Sequence, residues 1–125
     1  VTEPGFLLDA NICAYLLSGA APLLRARIEE RAEGEVVTSA VACAEVLVGA
    51  ARREGFDATL QFFRAFPVLP FDEKASRIYA SLPFRRGGFD RLIAAHAMSL
   101  DLTLVTNNER DFADIQGLRV ENWTI

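Results

Sequence analysis

Asp90-Arg91-Leu92-Ile93-Ala94-Ala95-His96-Ala97-Met98-Ser99-Leu100, followed after Asp101 by Leu102-Thr103-Leu104-Val105-Thr106, is the stretch that decides the fold. The first part has the apolar spacing of a helix capped by Asp90 and running from Arg91 to Leu100, and the second is a short buried strand. A helix that feeds straight into a buried strand is half of a βαβ unit. The same alternation continues in both directions. Towards the N-terminus lie strands at Phe6-Leu7-Leu8, Val36-Val37-Thr38 and Val68-Leu69. Between them, helices are expected from Asp9 to about Leu17, after Pro22, from Ser39 to about Arg53, from Ala58 to Phe66 and from Asp72 to about Leu82. Towards the C-terminus come a helical turn from Asn107 to Phe112 and a last strand from Leu118 to Val120. Strands alternating with helices imply right-handed crossovers and a mostly parallel sheet covered on both faces, an α/β fold.

The 125 residues, about half of them apolar, suffice for one core, so residues 1–125 are read as a single domain. Apolar stretches such as Ala40 to Val48 and Leu92 to Leu100 are far below the roughly 20 residues needed to cross a bilayer. Cys13 and Cys43 stand singly in apolar helical patterns without metal-ligand spacing, so they read as reduced packing residues. These features together predict a cytoplasmic protein without a membrane partner. The formal charge of −4 argues against a basic nucleic-acid footprint, unless bound cations neutralise a cluster of acids.

The acids fall where ligands gather in such folds, beyond the carboxyl ends of the strands. Asp9 follows the first strand, Thr106-Asn107-Asn108 closes the fourth, and Asp90 follows the loop Pro83 to Phe89 with its Arg85-Arg86-Gly87-Gly88. Asp and Asn are also favoured helix caps, so each position alone supports either reading. Glu45 is different. It lies within Val41-Ala42-Cys43-Ala44-Glu45-Val46-Leu47-Val48, too far past Ser39 for a capping box, and Val41 and Gly49 one turn away offer no cation. A carboxylate there needs water, a distant arginine or a metal, or else is a tolerated surface glutamate.

Asp9, Glu45 and Asp90 converging with a polar asparagine, and no His/Cys cluster, select a hard, oxygen-preferring ion, Mg²⁺ or Mn²⁺, over zinc. Such a site suits phosphoryl chemistry. His96 is the only histidine, which excludes a metal-free ribonuclease using two histidines, and it reads as a packed or surface residue. Arg85, Arg86, Arg91 and Arg110 flank the acids as candidate RNA-phosphate contacts, with Phe84 and Phe89 available for base stacking or simply for packing.

Leu7-Leu8-Asp9-Ala10-Asn11-Ile12, Ala44-Glu45-Val46-Leu47-Val48-Gly49-Ala50, Asp90-Arg91-Leu92-Ile93-Ala94-Ala95-His96-Ala97 and Leu104-Val105-Thr106-Asn107-Asn108 together resemble the PIN-domain family, specifically the VapC toxins of bacterial type II toxin–antitoxin pairs. Gly117 to Trp123 resembles the usual end of those chains. The resemblance implies a three-layer αβα sandwich and Mg²⁺-dependent cleavage of structured RNA, tRNA foremost. It also implies a homodimer, inhibition by a cognate VapB-like antitoxin, and contact with operator DNA only through that antitoxin. It makes Asp9 and Asp90 the principal metal ligands and Glu45 the third acid, with Asn11 and Thr106 in support. Asn108 stands where relatives carry a fourth acid, and Asp111, one turn on, is the candidate substitute.

Two rivals are weaker. A phosphotransfer domain needs a second acid two residues after the first, where Asn11 stands, or a lysine after a late strand, whereas Lys74 opens a helix. A degenerate nuclease acting only as a binding module would keep the fold without the chemistry.

Overall fold

Short β-branched and leucine runs form five strands, Phe6–Leu8 (β1), Val36–Ser39 (β2), Val68–Leu69 (β3), Thr103–Val105 (β4) and Val120–Glu121 (β5), in a computed structural model that describes residues 2–85 and 88–125. All neighbouring strands pair in parallel, in the spatial order β3-β2-β1-β4-β5. Leu7 lies between Val37 and Leu104 in register. Six helices cover the sheet: Ala10–Ser18 (α1), Pro22–Glu29 (α2), Ala40–Ala51 (α3), Phe56–Ala65 (α4), Glu73–Ser81 (α5) and Asp90–Ser99 (α6). A 3₁₀ turn spans Glu109–Phe112.

The two-residue period of the strands divides the core in two. Leu7, Val37 and Leu104 point to one face and pack with Ile93, Ala94, Ala97 and Phe112. Leu8, Val36 and Val105 point to the other and pack with Ile12, Cys13, Leu24, Phe63 and Trp123. The three-layer αβα sandwich expected from the alternation is therefore present. Phe62 and Phe66 pack against the second core, and Phe62 meets the Phe63 ring edge-on at 5.1 Å. Among the described residues, no helix is long and apolar enough to cross a membrane.

Several boundaries differ from the sequence reading by a residue or two, and three differences have a clear cause or consequence. Helix α4 begins at Phe56 rather than Ala58, because Gly55 takes a left-handed backbone (φ 106°) and starts the turn. The last strand falls at Val120–Glu121 rather than Leu118–Val120, since β4 pairs Leu104 with Val120 and Val105 with Glu121, while Leu118 packs against the first core. Asp90 is not the cap of α6. It is the first helical residue, and the cap position is Phe89, without a side-chain cap bond.

From β1 the chain builds outward to β2 and β3 on one side, then crosses to β4 and β5 on the other. The reversal lies between β1 and β4, and the crevice at their carboxyl ends is where open α/β sheets bind ligands.

Candidate active site

Asp9 closes β1 at this crevice. Its backbone N–H donates to the Val105 carbonyl of β4 at 3.1 Å, which fixes the residue at the reversal point. One carboxylate oxygen accepts the Ile12 N–H at 2.9 Å and so caps α1. The residue is only 4% exposed, and burial pushes its pKa above the ordinary range against the opposing hydrogen bonds from the Thr106 hydroxyl and the Ile12 and Asn11 backbone. Nearby Asp90 pushes in the same direction as burial. Capping and a functional role therefore coexist at one side chain, since a carboxylate has lone pairs to spare after accepting one N–H.

Glu45 projects from the second turn of α3. Its pKa is raised by burial first, then by the charges of Asp90 and Asp9. Its Oε1 atom is buried and has no hydrogen-bond partner among the described residues. No arginine of the described chain neutralises it, which removes one of the compensations open to such a carboxylate. Beside it, Val41, Ala44, Val48, Phe89 and Leu92 line an apolar groove of about 520 Å³.

Asp90 is raised by burial, by the charge of Asp111 and by a carboxyl–carboxyl hydrogen bond with it, partly offset by Arg91. Asp111 reaches this position on the 3₁₀ turn, held by the Asn108 side-chain amide at 2.5 Å. The Asn108 backbone N–H donates to the Thr106 hydroxyl at 3.1 Å. Thus Thr106 is bonded both to Asp9 and to the turn that carries Asp111. Asn108 supplies no charge, but it orients the acid that does.

The structure thus brings Asp9, Glu45, Asp90, Asp111, Asn108 and Thr106 to one place. The carboxylates do not yet close on a single point, for no three His, Cys, Asp or Glu side chains among the described residues form a group set to hold an ion. Their chemistry nevertheless fits a hard divalent cation: all-oxygen donors, mutual repulsion that a cation relieves, and an orphaned buried oxygen on Glu45. The side chain of Asn11 points to solvent, and what the residue gives Asp9 is a backbone N–H.

The arginines divide. Arg91 is 6% exposed, donating to Asp114 Oδ1 at 2.7 Å and to the Asp111 carbonyl at 3.4 Å. It is therefore a buried tie between α6 and the 3₁₀ turn, which corrects its expected role on RNA phosphates. Its Nη1 atom is buried without a hydrogen-bond partner among the described residues. Arg85 pairs with Asp114 at 3.7 Å across an exposed surface, and Arg110 is exposed. Arg86 lies outside the described residues. Phe84 and Phe89, which precede Asp90 in the chain, are both exposed, at 81% and 50%. Asp114 carries no local sequence signal and was not foreseen. Arg91, a cation inside an apolar helix pattern, was the available hint that an acidic partner existed.

A roomier cavity of about 850 Å³ lies at the opposite, amino ends of the strands, among Arg31, Gly34, Val36, Arg64 and Pro67. It holds no acid cluster, so the chemistry of the molecule points to the β1–β4 crevice.

Residues 6–118 match the PIN domain model. The chain belongs to the PIN-domain family. Its relatives place this PIN protein in the VapC branch. It is 33% identical, over 95% of its own length and 98% of the other, to a protein named tRNA(fMet)-specific endonuclease VapC from Shigella flexneri. It is 29% identical to a Ribonuclease VapC2 from Rickettsia felis, covering 94% and 97% of the two chains. Among solved structures, the DNA-bound VapBC of Salmonella typhimurium superposes with a TM-score of 0.84 at 28% identity, covering 96% of this chain and 98% of that one. A VapBC2 complex of Rickettsia felis bound to a promoter DNA fragment gives the same score at 26% identity, with 98% and 99% covered.

Proposed function

We propose that this VapC-type ribonuclease is a divalent-metal-dependent toxin that cleaves structured RNA, tRNA foremost, and is held inactive by a cognate antitoxin. The observation that carries the reading is the convergence of Asp9, Glu45, Asp90 and Asp111 from four separate elements, with the pKa values of the first three raised. Like charges assembled in a half-buried crevice destabilise the fold unless a ligand compensates, and an oxygen-only donor set fits Mg²⁺ or Mn²⁺.

Asp9, Glu45 and Asp90 would hold the ion, with Asp111 in the place that Asn108 leaves uncharged. A divalent ion there supplies polarisation of the scissile phosphate and stabilises charge on the leaving oxygen. The chain's own residues do the positioning. Thr106 and the Ile12 and Asn11 amides hold the Asp9 carboxylate, Asn108 orients Asp111, and Arg91 fixes the turn beneath it. Arg85 and Arg110 are the exposed cations available to phosphates flanking the cut, and Phe84 and Phe89 offer rings to unstacked bases.

The partners follow from the two solved relatives above, both VapBC complexes bound to DNA. On this reading the chain works in the cytoplasm as a homodimer, pairs with a VapB-like antitoxin and meets operator DNA only through it.

The test is cleavage of folded tRNA by the purified chain freed of antitoxin. Cutting with Mg²⁺ or Mn²⁺, loss of it in excess chelator, and products bearing 5′-phosphates are expected, because water attacks the phosphorus. Undiminished cleavage in chelator, or 2′,3′-cyclic phosphate ends, would overturn the metal-dependent reading.

A further inference from the structure

His96 has no part in the site described above, yet it is almost fully buried, and no metal-free histidine chemistry accounts for it. Its Nδ1 atom lies 2.8 Å from the hydroxyl of Ser39, itself fully buried. The Ser39 oxygen also accepts the Val41 N–H at 3.0 Å, so the hydroxyl that caps α3 is the group His96 holds. The Pro70 backbone and the Asp72 charge both favour the protonated ring, against the larger effect of burial, which lowers the His96 pKa. The Ser39 oxygen already accepts the Val41 N–H, so its own proton is assigned to the bond with Nδ1 and the ring proton to Nε2. Phe71 packs edge-on against the ring at 5.5 Å, and the Asp72 charge also faces it.

The spacing gives this contact its meaning. His96 lies six residues after Asp90 on α6, and Ser39, the cap of α3, lies six residues before Glu45. Six helical residues rise about 9 Å. The pairing of His96 with Ser39 at one level and the mutual influence of Asp90 and Glu45 at the other mean that the two helices pass in opposite directions. Each acid therefore stands the same height above one buried hydrogen bond. Among the described residues no other side-chain hydrogen bond or ion pair joins the two helices, and the groove beside Glu45 is lined by apolar side chains of both.

We propose that His96 is a positioning residue, which through the Ser39 hydroxyl sets the separation and orientation of Glu45 relative to Asp90. This inference rests on the metal-dependent reading above. A single polar bond between helices whose other contacts are non-directional fixes their register in a way that apolar packing alone does not. Removing the acceptor leaves the Ser39 hydroxyl free to turn, and the first turns of α3, which carry Glu45, can then shift against α6 while the helix stays packed on the sheet.

The test compares four single variants and one double variant of the full chain, purified free of antitoxin, by Mn²⁺ titration under electron paramagnetic resonance and by cleavage kinetics. His96→Leu fills the space without an acceptor, and His96→Asn keeps an acceptor near the position of Nδ1. Ser39→Ala removes the hydroxyl, and Ser39→Thr keeps it. The expected result is that His96→Leu and Ser39→Ala each weaken Mn²⁺ binding by about tenfold and lower kcat with KM little changed. His96→Asn and Ser39→Thr recover most of both, and the double variant His96→Leu/Ser39→Ala is no worse than either single one. If His96→Leu does not fold, the Ser39 pair decides alone. Folded variants lacking the bond but binding Mn²⁺ as wild type does would overturn this proposal and leave the metal-dependent reading intact. Wild-type protein that binds no Mn²⁺ and cleaves in chelator would overturn both.

Discussion

Asp9 and Asp72 begin as the same local device. Each follows a short strand, each has an extended backbone, and each accepts the N–H of the residue three positions on, at 2.9 Å for Ile12 and 3.0 Å for Ala75. What separates them is where the sheet delivers them. Asp9 leaves β1 beside β4, at the reversal of strand order, and is buried among other acids. Asp72 follows β3 at the edge of the sheet and is exposed. One cap is thereby also a candidate ligand, and the other only starts a helix. Local hydrogen bonding makes the cap; sheet topology decides whether the remaining lone pairs meet a substrate.

The comparison breaks most sharply under Asp→Asn substitution, which keeps the cap bond and removes the charge. Asp9→Asn should lower RNA cleavage at least about a hundredfold, as loss of a metal ligand does, while Asp72→Asn leaves cleavage unchanged. Equal cleavage by both variants in single-turnover assays would erase the distinction.

A second contrast is in stability. Asp9, Glu45 and Asp90 have raised pKa values in the fold, so between the ordinary carboxylate range near about 4 and those raised values the folded chain binds more protons than the unfolded one. The metal-free protein should therefore lose stability as pH rises through that window, and Mg²⁺ should restore it by favouring the ionised forms. Thermal melts across that pH range, with and without the ion, measure this. By the same argument Glu45→Gln removes one of the repelling charges and should raise the metal-free melting temperature by about 2–5 °C, at the cost of cleavage. A melting temperature that falls instead would mean that Glu45 has a structural partner.

The smallest effect expected is at the edge cap. Asp72→Ala should cost about 1 kcal/mol of stability, read as a shift in denaturation midpoint, with cleavage unaffected. A loss of cleavage there would show that the α5 terminus, which also faces His96, reaches the site.

Much of this was legible in the chain. The alternation of apolar strands with helical patterns was enough for the sandwich, and Glu45 stood out because no local role explained a carboxylate among Val41, Ala44 and Val48. Asp90 was misread as a cap because Asp before an apolar helix is the commonest signal of one, whereas its carboxyl turns to Asp111, twenty-one residues on. Arg91 was misjudged for a related reason. An arginine beside an acidic site looks like a phosphate contact until the fold buries it and supplies Asp114 as its partner.

By itself the sequence determined the periodicities, the caps at Asp9, Ser39 and Asp72, and the set of acids available, because these depend on residues within a turn or a strand of one another. Only the tertiary structure decided which acids meet. Strand order brings β1 beside β4, and two helices passing in opposite directions carry Glu45 to Asp90. Both are set by burial of side chains distant in sequence, which no local pattern records.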